Sequence, residues 1–391
     1  MTTIIENGAT FKSGSMNGGV VSTLSQQWAT RPPDERITGK DSQDALANLH
    51  AMAVKHHANS RATVLANRDL MVVPVEEDDK ALAVMVNRKE QKGVTLLSPT
   101  HWSFGQLAQR AGVPAGWARE VGQQGGSAIV ADAMNWGMAH RDVEEVGVLA
   151  TKLDQGIVLG AVTGPGYGRI WNKDIIAALR STLDPHWTVP GIFGQPVQEI
   201  TKENTSLFLS EQDMFIGLAD ETRRIEIPNR RAGAPGTLAR MILLGNSEVG
   251  AGKVFIYCCF HDYTCANRNI WGVEDFIEIS FRHTSGAPHR WLQTAAPAIR
   301  KFMEAGTGKV TALLDAARKA KLPDVDKFLA QRFTKSQVAA IKQAHLTEED
   351  RPIETIWDAN VGATAYARDL PHQDTRLDVE RTAGEMMKGL V

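Results

Sequence analysis

Residues 240–260, RMILLGNSEVGAGKVFIYCCF, contain two apolar runs separated by a polar segment that includes glycine. The runs at 241–244 and 254–260 are as short as typical strands, and Gly250-Ala251-Gly252 between them is typical of a turn. A third apolar run follows at 276–281. This pattern predicts an antiparallel sheet at the centre of the fold.

The rest of the chain divides into regions on either side of this sheet. Residues 1–45 are rich in Gly, Ser, Thr and Asn, and we interpret them as a flexible N-terminal arm. Residues 46–150 mix helical and strand-like patterns, residues 151–285 form the antiparallel β-rich core, and residues 286–391 form a helical C-terminal segment. The predicted class is α+β, with an antiparallel sheet core, flanking helices and a helical C-terminal segment.

Composition indicates an ordinary globular protein. The chain has 391 residues, 43 Lys and Arg against 45 Asp and Glu, and 43% hydrophobic residues. It begins without a basic start followed by an apolar run, and no apolar run approaches the roughly 18 residues of a membrane span. We therefore expect a cytoplasmic location and no membrane association.

The cysteines lie close together in the sequence. Cys258, Cys259 and Cys265 cannot supply a disulfide framework, which favours a reducing compartment. Alternation along a strand places Cys259 and His261 on one face and Cys258 on the other. Core packing is favoured over zinc, because these ligands are too close along one strand to enclose an ion alone. A Cys–His nucleophile pair remains open, and no metal or cofactor is expected.

Two lysines, Lys253 and Lys309, follow glycine as in a phosphate-binding loop. Neither has the first glycine or the following hydroxyl residue that such a loop requires. The sequence therefore excludes the usual loop for nucleoside triphosphates at both places.

Positive charge is concentrated around the predicted sheet. Residues 222–320 contain 14 Lys and Arg against 8 Asp and Glu, an excess of +6, whereas the whole chain has a net charge of −2. A sheet that carries arginine and aromatic residues can hold single-stranded nucleic acid. In the competing interpretation, the basic residues lie on a solvated surface and the aromatic residues fill the core between the sheet and the helices. The predicted nucleic-acid-binding residues are Arg223, Arg224, Arg230, Arg231, Arg240, Lys253, Tyr257, Arg268, Trp271, Arg282, His283 and Arg290.

Several short segments, in a fixed order, resemble a known family. They are Gly160-Ala161-Val162, 167–172 (YGRIWN), 210–215 (SEQDMF), 246–250 (NSEVG), Cys265-Ala266-Asn267 with Ile270-Trp271-Gly272, and Arg282-His283-Thr284. Over roughly residues 100–310 the chain resembles the phage and plasmid protein family catalogued as domain of unknown function 932. The resemblance implies a cytoplasmic protein of bacterial mobile elements, and it supplies no catalytic residues.

The leading functional hypothesis is binding of single-stranded DNA in phage recombination or replication, with strand annealing by a homo-oligomer. One alternative is an interaction protein that inhibits or redirects a host defence or replication factor. Another is an enzyme with a polar site at Glu248, Cys265, Arg282 and His283, although a protein without enzymatic activity is favoured. Arg282 is expected to bind either a phosphate or an internal carboxylate such as Glu248.

Overall fold

A computed structural model describes residues 5–6, 9–10, 27–76, 78–87, 94–141, 144–154, 156–191, 197–231, 234–264, 267–269, 278–304 and 308–390. It confirms the α+β class, with an antiparallel sheet core and a helical C-terminal segment. The first elements are the strands β1 (Ile5–Glu6), β2 (Ala9–Thr10) and β3 (Glu35–Arg36), and the helix α1 (Ser42–Asn59). Among the described residues, no helix has both the length and the apolar character needed to cross a membrane.

A six-stranded sheet occupies the first half of the chain. Its strands are β4 (Ser60–Ala66), β5 (Leu70–Val75), β6 (Asp78–Asn87), β7 (Val94–Pro99), β8 (Glu145–Leu153) and β9 (Gly156–Thr163), in the spatial order β4-β8-β9-β7-β6-β5. The pairing of β7 with β9 is parallel, and the other pairings are antiparallel. Helices α2 (His101–Ala111), α3 (Ala115–Gln123) and α4 (Ser127–Ala139) connect β7 to β8 and pack on this sheet through a shared apolar core.

The second sheet contains residues 240–260. It is formed by β3, β10 (Trp187–Thr188), β11 (Leu207–Leu209), β12 (Met214–Arg231), β13 (Ala234–Asn246), β14 (Val254–Asp262), β15 (Asn267–Asn269) and β16 (Glu278–Phe281). All of its pairings are antiparallel. The strands predicted at 241–244 and 254–260 are therefore confirmed as β13 and β14.

Helices cover both faces of the second sheet. On one face, Ile242 and Cys258 pack with α1, α5 (Asn172–Thr182) and α6 (Ala287–Glu304). On the other face, Met241 and Cys259 pack with Leu377. Leu377 belongs to the C-terminal helices α7 (Gly308–Lys319), α8 (Val325–Ala330), α9 (Lys335–Glu349), α10 (Ile356–Arg368) and α11 (Gln373–Glu385). The two cysteines lie on opposite faces, as strand alternation requires.

Two of the predicted boundaries differ from the structure. Residues 27–45 are packed, although the sequence predicts a flexible arm: Trp28 is fully buried, with its ring centroid 4.5 Å from that of Phe104, and β3 pairs with β11. Few apolar residues surround Trp28 in the sequence, so only its distant contacts reveal this packing. The boundary predicted between residues 150 and 151 lies inside β8, because β8 and β9 both belong to the first sheet.

Candidate active site

A cavity of 520 Å³ lies between the two sheets, and we call it the central cleft. It is lined by α1, by β8 and β9, and by the turns that end β11 and β13. Its walls are largely apolar, and a small number of polar side chains converge in it. The apolar residues are Met52, Ala53, Leu149, Leu153, Val158, Leu209 and Val249, and the ionisable residues are Glu35, Lys55, His56, Glu211, Asp213 and Glu248.

His56 and Glu248 form an ion-pairing contact in this cleft. His56 Nδ1 lies 3.0 Å from Glu248 Oε2, with the glutamate side chain 5% exposed and the histidine side chain 38% exposed. The backbone N–H of Asn172, the first residue of α5, donates to Glu248 Oε1 at 2.6 Å. The positive end of a helix therefore supports the buried carboxylate.

The other ring nitrogen of His56 lies near two hydroxyl groups. His56 Nε2 is 3.3 Å from Thr151 Oγ1 and 3.5 Å from Ser60 Oγ, and these two oxygens are 2.9 Å apart. When Nδ1 carries the proton that Glu248 accepts, Nε2 has the free lone pair. Thr151 lines the cleft, so this lone pair lies where a bound molecule can reach it.

The turn between β11 and β12 brings two more carboxyl groups to the cleft. The Glu211 carboxylate accepts the N–H groups of His101 at 3.2 Å and Trp102 at 2.9 Å, which begin α2, and burial raises the pKa of Glu211. Burial, with a smaller contribution from Asp374, raises the pKa of Asp213 to about 7. Asp213 therefore titrates near neutrality in the same cleft as the His56–Glu248 pair.

Strand pairing brings Asp213 and Glu248 together. Met214 on β12 pairs with Asn246 on β13, so the residues just outside this pair, Asp213 and Ser247, belong to adjacent turns. Asn246 Nδ2 donates to the carbonyl of Ile170 at 2.9 Å. Each of these contacts joins residues that are far apart in the sequence.

The Glu248 turn is also held from the first sheet. Trp102 Nε1 and Gln106 Nε2 on α2 both donate to the carbonyl of Val249, at 3.1 and 2.8 Å. Gln106 Oε1 accepts the N–H of Val162 on β9 at 2.8 Å. The turn is thus fixed by hydrogen bonds to two regular elements, which is the preorganisation that a catalytic carboxylate needs.

Five of the segments that carry the family resemblance meet around this turn. Tyr167 donates to the carbonyl of Ser247 at 2.8 Å and stacks on His283, with ring centroids 4.9 Å apart. Gly168 lies so close to the Thr284 backbone that a Cβ atom would overlap the Thr284 carbonyl. Gly160 lines the cleft. These contacts join the segments 160–162, 167–172, 210–215, 246–250 and 282–284. In the sixth segment, residues 265–266 and 270–272 lie outside the described residues.

Four predicted nucleic-acid-binding residues lie inside the protein. Arg240, Tyr257, Arg268 and His283 are buried, and Arg268 Nε donates to Glu380 at 2.9 Å. This differs from the exposed surface that the sequence predicts, because the facing helices cover this part of the sheet. These four side chains therefore agree with the competing interpretation from the sequence, in which such residues fill the core and do not bind nucleic acid.

The other predicted residues fall into three groups. Arg223 and Arg224 form ion pairs with Asp220 and Glu221, their near neighbours on β12. Lys253, Arg282 and Arg290 are exposed. The side chains of Arg230, Arg231 and Trp271 lie outside the described residues.

Three of the four residues of the enzyme alternative are described, and these three lie in different surroundings. Glu248 lines the central cleft, and His283 is buried against Tyr167. The Arg282 side chain is exposed, and among the described residues it does not bond to Glu248, which was one of its two expected partners. Cys265 lies outside the described residues.

The remaining cysteines are poor nucleophiles. Burial raises the pKa of both Cys258 and Cys259, so their thiols stay protonated at neutral pH. Within the described residues, no group of three His, Cys, Asp or Glu side chains is arranged to hold a metal ion.

Sequence reasoning singled out Glu248 but not His56, Glu211 or Asp213. Glu211 and Asp213 belong to a segment that carries the family resemblance, which could have drawn attention to them. His56 has no such signal, since it lies at the end of an ordinary amphipathic helix.

Comparison with family models, with curated proteins and with solved structures gave no match for this chain. The function of the protein is therefore inferred from the geometry of the site.

Proposed function

We propose that the protein is an enzyme that transfers protons within a small molecule bound in the central cleft, with His56 and Glu248 as its acid–base pair. The observation that carries this proposal is the contact of 3.0 Å between His56 Nδ1 and Glu248 Oε2, with Nε2 directed to the Thr151 hydroxyl that lines the cleft. A histidine held by a carboxylate through one ring nitrogen, with its second nitrogen beside a hydroxyl group at the wall of a cleft, is a common general base.

The chain's own groups suffice for a proton-transfer cycle. His56 Nε2 accepts a proton from the bound molecule, and the Glu248 carboxylate stabilises the resulting imidazolium. Asp213, whose pKa is about 7, supplies a proton to another atom of the same molecule. His56 then releases its proton to water and Asp213 takes one from water, which restores the starting state of both groups.

The lining of the cleft restricts the substrate. Four carboxyl groups line it, those of Glu35, Glu211, Asp213 and Glu248, against the single ammonium group of Lys55 and the imidazole of His56. This balance disfavours anions, and the apolar walls favour a molecule with a hydrophobic part. The volume of 520 Å³ suits a small molecule that is neutral or positively charged.

The test uses a small-molecule extract of bacterial cells as the probe. The full chain is incubated with the extract, and compounds that disappear or form are separated by liquid chromatography and then identified by mass spectrometry, because a proton transfer within a molecule leaves its mass unchanged. We expect His56→Gln and Glu248→Gln to slow the conversion by about 100-fold or more. His289→Gln, which changes an exposed histidine on α6, serves as the matched control. A folded wild-type protein that changes no compound relative to His56→Gln would reject the proposal.

Binding of single-stranded DNA is the second candidate, and it is supported by three exposed cations at one end of the second sheet. Val254 pairs with Phe281, so the adjacent residues Lys253 and Arg282 lie side by side. Arg290 Nη2 donates to Thr284 Oγ1 at 2.8 Å, two residues further along the chain from Arg282. Three converging cations can contact phosphates without a particular base sequence.

A gel-shift titration tests this second candidate. We expect Lys253→Glu combined with Arg282→Glu to abolish binding, and a rise in salt from about 50 to about 200 mM to weaken wild-type binding at least about tenfold. Arg332→Glu combined with Lys335→Glu is the control, because both residues are exposed, Arg332 in the turn before α9 and Lys335 at the start of that helix. Binding that neither salt nor the first pair of changes weakens would exclude this surface.

We also propose membership of the family catalogued as domain of unknown function 932, a cytoplasmic location and self-association. The meeting of five resemblance segments around Glu248 supports the family, and the two buried, unbonded cysteines Cys258 and Cys259 support a reducing compartment. Light scattering at several protein concentrations tests self-association, for which a constant monomer mass would be the contrary result.

A further inference from the structure

A second cavity, of 410 Å³, lies between the second sheet and the C-terminal helices. It shares no lining residue with the central cleft. Its distinguishing members are Arg268 on β15, Arg368 at the end of α10, Arg376 on α11 and His261 on β14, and we call it the arginine pocket.

Positive charge exceeds negative charge at the buried end of this pocket. Two carboxylates also line it, those of Glu348, which pairs with Arg368, and of Glu203, whose side chain is exposed to solvent. Arg268 Nε and Arg376 Nε both donate to the same atom, Glu380 Oε1, at 2.9 and 2.7 Å. The exposed fractions of the three side chains are 3%, 11% and 0% for Arg268, Arg376 and Glu380. Two guanidinium groups thus share one buried carboxylate, which leaves a net charge of +1 in a region of low dielectric constant.

The third arginine adds no further excess, because it is already paired. Arg368 forms an ion pair with Glu348, which also lines the pocket. Arg368 also acts on Arg376. Burial lowers the pKa of Arg376 to about 10, and the positive charges of Arg268 and Arg368 contribute to this shift. The three guanidinium groups are therefore mutually close.

Hydrogen-bonding capacity remains unused in the pocket. Within the part of the chain that the structure describes, Arg376 donates only through Nε, so its two terminal nitrogens are available. Arg268 uses Nε for Glu380 and Nη2 for Gln373 Oε1 at 3.2 Å. A negatively charged ligand with several acceptor oxygens would accept hydrogen bonds from the remaining N–H groups of these two arginines.

His261 supplies an unused acceptor next to these donors. Its side chain is buried, and its Nε2 lies 3.0 Å from the carbonyl of Gly191, which identifies Nε2 as the donor nitrogen. Nδ1 is buried and has no hydrogen-bond partner among the described residues. Burial lowers the pKa of His261 to about 4, so the ring is neutral at pH 7 and Nδ1 accepts a hydrogen bond.

We propose that the arginine pocket binds a small phosphate monoester that also carries a hydroxyl group. The phosphate oxygens accept from Arg268 and Arg376, and the ligand's hydroxyl donates to His261 Nδ1. Phosphate fits because it offers several acceptor oxygens and because its negative charge balances the surplus positive charge of the guanidinium groups. The cavity volume of 410 Å³ is within the range of small-ligand sites.

Isothermal titration of the full chain with ribose 5-phosphate tests the proposal, with ribose and acetate as comparison ligands at constant ionic strength. We expect binding of ribose 5-phosphate that is much tighter than that of either comparison ligand. At about 100 times the dissociation constant, the melting temperature should rise by about 3 °C. A buried ion triad with a structural role alone would give neither heat nor a shift in melting temperature, which would overturn the proposal, as would equally tight binding of acetate.

Variants locate the binding in the pocket. Arg376→Gln should weaken binding at least about tenfold through loss of a charge-assisted contact. Because this change can also destabilise the fold, a second variant, Thr347→Glu, adds negative charge at an exposed position on the pocket lining and should weaken binding at least about threefold. Thr382→Glu is the matched control, because Thr347 and Thr382 both donate to the carbonyl four residues earlier in a helix and Thr382 lies outside the pocket. Unchanged binding in folded Thr347→Glu would reject this location.

Discussion

His56 Nδ1 lies 3.0 Å from Glu248 Oε2, although the two residues are almost 200 positions apart in the sequence. His56 comes from α1, before the first sheet, and Glu248 from the turn that follows β13 in the second. The contact therefore exists only after both sheets have formed and α1 has packed on the second one.

Removal of the Glu248 carboxylate should destabilise the protein. Glu248→Ala leaves the buried N–H of Asn172 without its acceptor, so we expect the free energy of unfolding to fall by about 1–3 kcal/mol. Urea denaturation of both proteins measures this difference. Glu120→Ala, at an exposed position on α3, should change it by less than about 0.5 kcal/mol. Equal effects of the two changes would contradict the structural role of Glu248.

Asp213 should make stability fall as pH rises. Its pKa in the folded protein, about 7, lies above the ordinary value of 3.8, so the folded state binds the proton more tightly than the unfolded state. The group's contribution to stability is therefore fully present below pH 3.8 and is lost as pH rises through 7.

The variant Asp213→Asn isolates this effect, because asparagine has the shape of the protonated carboxyl group. We expect the stability of Asp213→Asn minus that of wild type to be larger at pH 8 than at pH 4. Thermal unfolding of both proteins at a series of pH values measures this difference. Asp315→Asn, at an exposed position on α7, is the control. A constant difference between Asp213→Asn and wild type across the pH range would exclude the raised pKa.

Trp28 should anchor the N-terminal segment to the first sheet. It is fully buried against Phe104, and its Nε1 donates to the carbonyl of Lys80 at 3.2 Å. We expect Trp28→Ala to lower the free energy of unfolding by about 3–5 kcal/mol, measured by chemical denaturation. Trp136→Ala removes a tryptophan that is 68% exposed and should have little effect. Similar stability of the two variants would support the flexible arm that the sequence predicts.

Asp358 should stabilise the C-terminal helices except in acid. Its carboxylate lies 3.8 Å from His345 Nε2, and it accepts from Arg351 at 2.6 and 3.0 Å and from the N–H groups of Glu354 and Thr355. These neighbours, with His345 first, hold the pKa of Asp358 well below the usual range despite burial. A lowered pKa gives stability that is present above pH 3.8 and is lost as pH falls further.

Replacement of this carboxylate tests that contribution. We expect Asp358→Asn to lower the free energy of unfolding by about 3–5 kcal/mol at pH 7 and by less at pH 3. Far-ultraviolet circular dichroism during urea unfolding measures both values. Asp326→Asn, which breaks the exposed pair with Lys342, is the control and should cost less than about 1 kcal/mol. A loss for Asp358→Asn that is the same at both pH values would contradict the lowered pKa.

The sequence by itself determined the strands at 241–244 and 254–260, the opposite faces of Cys258 and Cys259, and the helical C-terminal segment. These features follow from local periodicity, because side chains alternate along a strand and recur every three to four residues along a helix. Local periodicity did not identify Glu248, which was named as a member of the resemblance segment 246–250 and of the polar site in the enzyme alternative.

Only the tertiary structure decided which charged groups meet. Arg268 has the sequence context of an exposed cation on a strand, yet it is buried because Glu380, 112 residues later, supplies its counter-charge. His56 similarly becomes part of a site because the turn that follows β13 brings Glu248 to the last turn of α1. Whether a charge is buried depends on such long-range partners, since an unpaired charge stays in water, and no local pattern records which partner the fold will bring.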